Sequence, residues 1–286
     1  MAIKLLIGGS PCTHWSIAQR NRETTAEGLG WELFKNYLIA KDKFKPDFFL
    51  YENNKSASKA VKEQIAKELG VGTDPFARFT YINSALVSAQ NRQRFYVTNF
   101  GEIKQPVDRG ILLKDILEYG TTERIKSKTV RVGGAKSKYD DKREWDRPNR
   151  DRIYTTIELE RLQTLPDNYT KAVRNLARRK VIGNSWTAEV IIHLLNHALS
   201  DVPRDEEIIV LSFYDGIATG RYCLDKMSFT NVTYYAYEID KHAITVAMDN
   251  YPDIIQCGDA FAVREETWKP PQTRSEWLDD LLGCEL

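Results

Sequence analysis

The run Ile208-Ile-Val-Leu-Ser-Phe213 is apolar but for one serine, and Tyr214-Asp-Gly-Ile-Ala-Thr-Gly220 follows at once. A buried strand that breaks into a glycine turn and reopens as a helix commits this part of the chain to an α/β sheet with a ligand-facing edge. Glycines let a ligand approach the backbone, and the helix start offers free amides. A second predicted strand, 233–239, carries Glu238, 23 residues after Asp215. That is the spacing at which an acid reaches a pair of ribose hydroxyls. A third, 254–257, leads to Gly258-Asp259, where a carboxylate can accept from an adenine amine. Three strand ends, each with a polar residue, predict an adenosine site; a hairpin turn with surface acids is the plainer alternative.

The amino-terminal part has a strand and turn of its own. Ile3-Lys-Leu-Leu-Ile-Gly8 reads as a strand that runs into Gly9-Ser10-Pro11-Cys12. A cysteine in a glycine-lined turn at that edge can be held as the nucleophilic thiolate by backbone amides. A small buried cysteine is the plainer alternative. Periodicity predicts a helix over 28–43 with Leu29, Leu33, Phe34, Tyr37 and Leu38 on one side. It predicts a strand over 47–52 ending at Glu52, a helix over 56–69, and strands near 78–87 and 93–99. This alternation implies a largely parallel sheet. A carboxylate ending so apolar a strand is expensive unless it is functional or paired. Gln90-Asn-Arg92-Gln-Arg94 opens the last strand, and alternation predicts Gln90, Arg92 and Arg94 on one face. Two guanidiniums there can fix Glu52 or grip a base and a phosphate; a surface salt bridge is the alternative.

From 101 to about 155 the pattern weakens, with one helical turn near 112–117. Helices are predicted over 155–165, 186–199, 220–227 and 240–249, and 200–207 reads as a polar linker. The chain of 286 residues is 42% hydrophobic, which excludes disorder and a disulfide scaffold. No apolar run approaches the roughly 20 residues of a spanning helix, and Met1 to Gly9 lacks the features of a signal peptide. Net charge is +1, yet residues 121–152 hold eleven Lys and Arg against six Asp and Glu. Phosphate responds to such local charge, so a nucleic-acid partner fits. Cys12, Cys223, Cys257 and Cys284 are scattered, which fits a reducing cytoplasm. His193 and His197 stand four apart on a predicted helix without a metal-site motif, so no metal is expected.

Taken together these pieces resemble the cytosine-5 DNA methyltransferase family. Gly9-Ser10-Pro11-Cys12 resembles its nucleophile loop, Glu52-Asn53 its Glu-Asn-Val element, and Gln90 to Arg94 its Gln-x-Arg-x-Arg element. Arg161-Leu-Gln-Thr-Leu-Pro166 resembles its Arg-Leu-Gln-x-Phe-Pro segment, Gly183-Asn184-Ser185 its last motif, and Tyr214 to Gly220 its cofactor loop. That loop, and Ser185-Trp186 with Val190 to Leu194, sit nearest the animal de novo methyltransferases. Two departures stand out: Asn54 where the family has valine, and Thr13 where many members have Gln or Asn.

The resemblance implies an α/β fold, the Rossmann-like mixed sheet of S-adenosylmethionine-dependent methyltransferases. The motif order implies a circular permutation. The Pro-Cys half comes first (1–100), a small target-recognition region follows (101–170), and 171–286 completes the catalytic domain with the cofactor half. The implied catalytic residues are Cys12, adding to carbon 6 of cytosine, Glu52, holding the base, Arg94, on the base oxygen, and Arg92, orienting Glu52 or a phosphate. The implied S-adenosylmethionine contacts are Tyr214, Asp215, Gly216, Ile217, Ala218, Thr219, Glu238, Ile239, Asp259, Ala260, Asn184, Ser185, Trp186, Pro11 and Leu29. Ser16, Gln90, Arg131, Lys136 and Arg147 are expected on duplex DNA. The cytosine would be flipped from the helix, in a cytoplasmic restriction-modification or phage setting. A tRNA cytosine methyltransferase and a silent, partner-stimulating paralogue are the alternatives; oligomeric state is left open.

Overall fold

The computed structural model describes residues 2–131, 153–273 and 276. All six residues of β5 (Ile208–Phe213) are buried, because this strand lies inside a seven-stranded sheet. The other strands are β1 (Ile3–Gly8), β2 (Phe48–Asn54), β3 (Arg78–Asn83), β4 (Gln93–Thr98), β6 (Val232–Tyr237) and β7 (Ile255–Gln256). Their order is β3-β4-β2-β1-β5-β6-β7. The helices are α1 (Gly28–Phe44), α2 (Lys59–Glu68), α3 (Thr156–Leu162), α4 (Asn175–Asn184), α5 (Ala188–Leu199), α6 (Thr219–Lys226) and α7 (Lys241–Asn250).

The sheet is mixed. β2, β1, β5, β6 and β7 run parallel, whereas β4 pairs antiparallel with both β2 and β3. The largely parallel expectation fails at that edge for a simple reason. The connection from Asn83 to Gln93 is shorter than the dozen or more residues a parallel crossover needs, so the two strands form a hairpin. The strand expected near 78–87 ends at Asn83, and residues 84–86 form a 3₁₀ turn.

Successive side chains of a strand point to opposite faces, so both faces of the sheet are covered. Leu5, Ile7, Ile208 and Val210 enter one cluster with Leu194, Leu195 and Leu224. Leu6, Ile209, Leu211 and Phe213 enter the other with Phe34, Tyr37 and Ala40 of α1. Each such large side chain stabilises the fold by about 1.5–3 kcal/mol relative to exposure. A third cluster holds Leu113, Ile116, Val130, Tyr154, Leu159, Leu162 and Ile182, and packs the described part of 101–170.

Part of the basic segment is spent inside this region. The Lys126 ammonium donates to the carbonyls of Ala85, Ser88 and Ile111 at 2.7, 3.0 and 2.6 Å. Lys136 and Arg147 lie outside the described residues. Among the described residues, no helix is long and apolar enough to cross a membrane, and no group of three or more metal-ligating side chains occurs.

Candidate active site

The strand order reverses between β1 and β5. β1 leads through α1 to β2 on one side, and β5 leads through α6 to β6 on the other. Ligands of open α/β sheets bind beyond the strand ends at such a switch point. Both glycine turns lie there, and they share a cavity of about 430 Å³, within the range of small-molecule sites.

The turn after β1 is built for close approach. A Cβ on Gly9 would lie 2.4 Å from the Glu52 carbonyl oxygen, so β1 meets β2 only through glycine. Asn53 Nδ2 donates to the Ser10 carbonyl at 2.9 Å, and Asn54 Nδ2 to the Cys12 carbonyl at 3.4 Å. Two side chains of β2 therefore pin the turn on either side of Pro11. Cys12 is half-buried and faces the cavity.

Glu52 is the residue of β2 that turns into the cavity. Its Oε1 accepts Arg94 Nε at 2.8 Å and its Oε2 accepts Trp186 Nε1 at 3.1 Å. Arg92, expected to orient Glu52 or a phosphate, makes no direct bond to Glu52. Its guanidinium is buried and donates to the carbonyls of Val130 at 3.2 Å, Gly183 at 3.4 Å and Ser185 at 2.8 Å. Burial first, and the charge of Arg94 second, push Arg92 down to about 9, which leaves it charged at neutral pH. Gln90 is a correction of the same kind. It precedes β4, is fully buried, and its amide donates to Leu162 O and Gln163 Oε1 while accepting from Val130 N. No face of Gln90 is left for a nucleic acid. Ser16 stands in the turn after Cys12 with its hydroxyl accepting from Ala18 N, and Arg131 is exposed.

The turn after β5 is strained. Tyr214, Gly216 and Ala218 have φ of 58°, 67° and 60°, and the two non-glycine residues cost about 1–2 kcal/mol each there. Packing holds them: Tyr214 donates its hydroxyl to Leu33 O at 2.7 Å, and Ala218 is buried. Asp215 is half-buried, with Oδ1 accepting Ser212 Oγ at 2.7 Å and Tyr234 OH at 2.6 Å. Burial pushes its carboxyl up to about 6, against the lowering effect of Tyr234 and Ser212. Ser212 and Tyr234 were not foreseen, although Ser212 is the lone polar residue of the apolar run, which is the available signal.

Glu238 follows β6. It accepts Gly216 N, Ile239 N and Asp240 N, each at 2.8 Å. A carboxylate has about four lone-pair sites, so capacity remains for one hydroxyl. Pro11, Leu29, Asn184, Ser185, Trp186, Tyr214, Asp215, Gly216, Thr219, Glu238, Ile239, Asp259 and Ala260 all line the cavity with Cys12, Glu52, Arg92 and Arg94. Ile217 and Ala218 do not; they are wholly buried beneath it. Leu33, Tyr237 and Phe261 line it as well and were missed.

A profile of the C-5 cytosine-specific DNA methylase family matches residues 1–108 and 113–199. The chain belongs to this family. Among solved structures, the C-5 methylase chain resembles the Entamoeba histolytica methyltransferase EhMeth. The identity is 13%, the TM-score is 0.51, and 70% of this chain and 78% of that one are covered. The S. pombe Dnmt2 methyltransferase is 17% identical with a TM-score of 0.38, covering 54% of this chain and 67% of that one. A Spodoptera frugiperda DNMT2 mutant is 17% identical with a TM-score of 0.46, covering 68% and 78%. At such identity the likeness to EhMeth is one of fold.

C-5 methylases take their methyl group from S-adenosylmethionine, and the cavity fits that cofactor. Asp215 Oδ2 and Thr219 Oγ1 are buried without a hydrogen-bond partner among the described residues. Buried polar atoms are seldom left so, and both belong to residues that line the cavity.

Proposed function

We propose that the chain is a DNA cytosine-5 methyltransferase that works through a covalent adduct at Cys12. The observation that carries this reading is one cavity lined by Cys12, Glu52 and Arg94 on one side and by Asp215, Thr219 and Glu238 on the other. Nucleophile, base-holding carboxylate and cofactor loop come from separate strand ends, and no simpler role accounts for their meeting.

The order of events follows from the chemistry of the ring. Carbon 5 of cytosine is a poor nucleophile until the ring is activated. Cys12 thiolate gives an electron pair to carbon 6 and forms an S–C bond. Glu52, oriented by Arg94 and carrying a proton in this step, gives that proton to nitrogen 3 and accepts from the exocyclic amine, so the negative charge does not build up on the ring. S-adenosylmethionine, which Asp215, Gly216, Thr219, Glu238, Asp259 and Trp186 would hold, would supply an electrophilic methyl group for carbon 5. Water takes the carbon 5 proton, the electron pair re-forms the ring double bond, the S–C bond breaks with Cys12 leaving as thiolate, and the nitrogen 3 proton returns to Glu52. The target carbon is out of reach inside a duplex, so the base is flipped out at a cost of a few kcal/mol. Arg131 and the basic stretch that follows it serve the DNA backbone.

The chain order is read as a circular permutation. The family profile ends at residue 199, before the Tyr214–Gly220 loop. β1 and β5 are neighbours in register, and Lys4 Nζ pairs with Glu276 at 2.5 Å. Residues 101–170 are read as the target-recognition region. A chain opened at 204 and closed from 286 to 1 by a short linker should bind the cofactor as tightly as the parent; loss of binding in a folded product counts against the permutation.

Methyl-labelled S-adenosylmethionine with mixed-sequence duplex DNA, beside tRNA, tests the activity. Label in DNA that vanishes in Cys12→Ser supports the reading. Label in tRNA alone moves the substrate to RNA, and label that survives in Cys12→Ser removes the role given to that thiol.

A further inference from the structure

Trp186 sits in the short turn between α4 and α5, in the motif that sequence comparison gives to the cofactor. It lines the cavity, yet its indole N–H donates to Glu52 Oε2 at 3.1 Å while Arg94 Nε holds Oε1 at 2.8 Å. An indole nitrogen can only donate, and a bond to a carboxylate is roughly twice as strong as a neutral one. Both oxygens of Glu52 are therefore held, by donors from distant parts of the chain.

The indole is aimed by its backbone. Arg92 Nη2 donates to Gly183 O and Ser185 O, and Gln163 Nε2 donates to Ser185 O at 3.2 Å. On the other side, Thr187 Oγ1 donates to Gln163 Oε1 at 3.0 Å. Two arginines of one segment thus act on one carboxylate. Arg94 acts directly, and Arg92 acts through the 183–185 backbone and Trp186. Tyr96 stands opposite Glu52 on β4, and Cys12 and Arg92 line the same cavity, but among the described residues only Arg94 and Trp186 donate to it.

We propose that Trp186 is a positioning residue for Glu52, tying the cofactor wall of the cavity to the carboxylate that holds the base. The inference rests on the reading of Glu52 as the base-holding group. Trp186 then has two separable duties. Its ring is cavity wall, and its N–H sets the aim of the carboxylate.

Trp186→Phe keeps a ring and removes the N–H. Its affinity for S-adenosylhomocysteine should stay within about threefold, while single-turnover methyl transfer at saturating cofactor and DNA falls about tenfold, the worth of one hydrogen bond to a charged group. The contact is read without activity from indole N–H resonances of nitrogen-15-labelled protein. The peak missing in Trp186→Phe should move upfield in Glu52→Gln. A peak that ignores Glu52→Gln overturns the inference, as does a loss confined to cofactor affinity. If Glu52→Gln transfers methyl groups at the parent rate, the reading of the base site itself fails, and this inference falls with it.

Discussion

Arg94 and Glu52 meet at 2.8 Å on a diagonal of the antiparallel pair β2–β4, where Arg94 stands opposite Asn54 and Glu52 opposite Tyr96. Diagonal neighbours of this kind are within reach of long side chains. The pair is 12% exposed on each side, so it is screened little by water. Arg94→Ala should lower single-turnover methyl transfer at least tenfold, and destabilise the fold by on the order of 1–3 kcal/mol because a half-held carboxylate stays behind. Arg94→Lys should recover little, because an ammonium lacks the planar fork that presents Nε to Oε1. Methyl-transfer rates beside thermal melting check this; a lysine variant as fast as the parent would show that charge alone suffices.

Gly220 leaves room for Tyr234 to reach Asp215. A Cβ there would lie 2.3 Å from Ile7 Cδ1 and 2.6 Å from the Tyr234 hydroxyl. Gly220→Ala should cost about 1–3 kcal/mol by overpacking and weaken cofactor binding as Tyr234 leaves Asp215. Adding Tyr234→Phe should relieve only part of the strain, since Ile7 remains. Urea melts and cofactor titration measure both effects. An alanine variant with the parent's stability would mean that α6 shifts freely, and the packing account would be wrong.

The ends of apolar runs were the legible part of this sequence. β5 spans Ile208–Phe213 as a run apolar but for Ser212 predicts, and Cys12, Glu52, Asp215 and Glu238 stand where such runs stop. α4 was not foreseen, because its inward face carries Arg178 as well as Val181, Ile182 and Gly183. Arg178 pairs at 2.9 Å with Glu160, which is fully buried, so a charge pair stands where an apolar stripe would have signalled a helix. The bond from Trp186 to Glu52 depends on where α4 ends against β4, and was hidden for the same reason. Gln90 was misread because alternation was extended three residues ahead of a strand that starts at Gln93.

Asp215 gives the cofactor-free protein a pH signature. Its carboxyl is pushed up to about 6 by burial, against about 4 in an unfolded chain. Between those values the folded chain keeps a proton that the unfolded chain has released, so stability falls as pH rises through the window and is level above it. The gap corresponds to roughly 2–3 kcal/mol. Asp215→Asn should therefore be more stable than the parent at pH 8, with the difference closing by pH 4, and should bind the cofactor more weakly. Urea denaturation of both proteins from pH 4 to pH 8 reads the difference directly; a constant offset across that range would rule out the buried carboxylate as its source.

Asn54, which stands where the family has valine, joins the nucleophile turn to the loop that follows it. Its Nδ2 donates to Cys12 O at 3.4 Å, and its Oδ1 accepts the Ser56 hydroxyl. Ser56 Oγ in turn accepts from Ile17 N at 3.4 Å, and Ser56 O accepts Arg22 Nη1 at 2.6 Å. Asn54→Val fills the same buried space but breaks the first link: Cys12 O keeps its bonds from Trp15 N and Ser16 N at 3.2 and 3.0 Å but loses its tie to β2, and the Ser56 hydroxyl loses its acceptor. One or two lost bonds are worth about 1–2 kcal/mol, a factor of roughly 5–30 in the population of the opened loop. Arg20 is exposed in that loop, so trypsin should cut after it faster by a similar factor in Asn54→Val, and single-turnover methyl transfer should slow as Cys12 loses its anchor. If cleavage is faster but transfer is unchanged, the anchor serves the loop and not the thiol. If neither changes, Asn54 is only a filler of the space that valine takes elsewhere in the family.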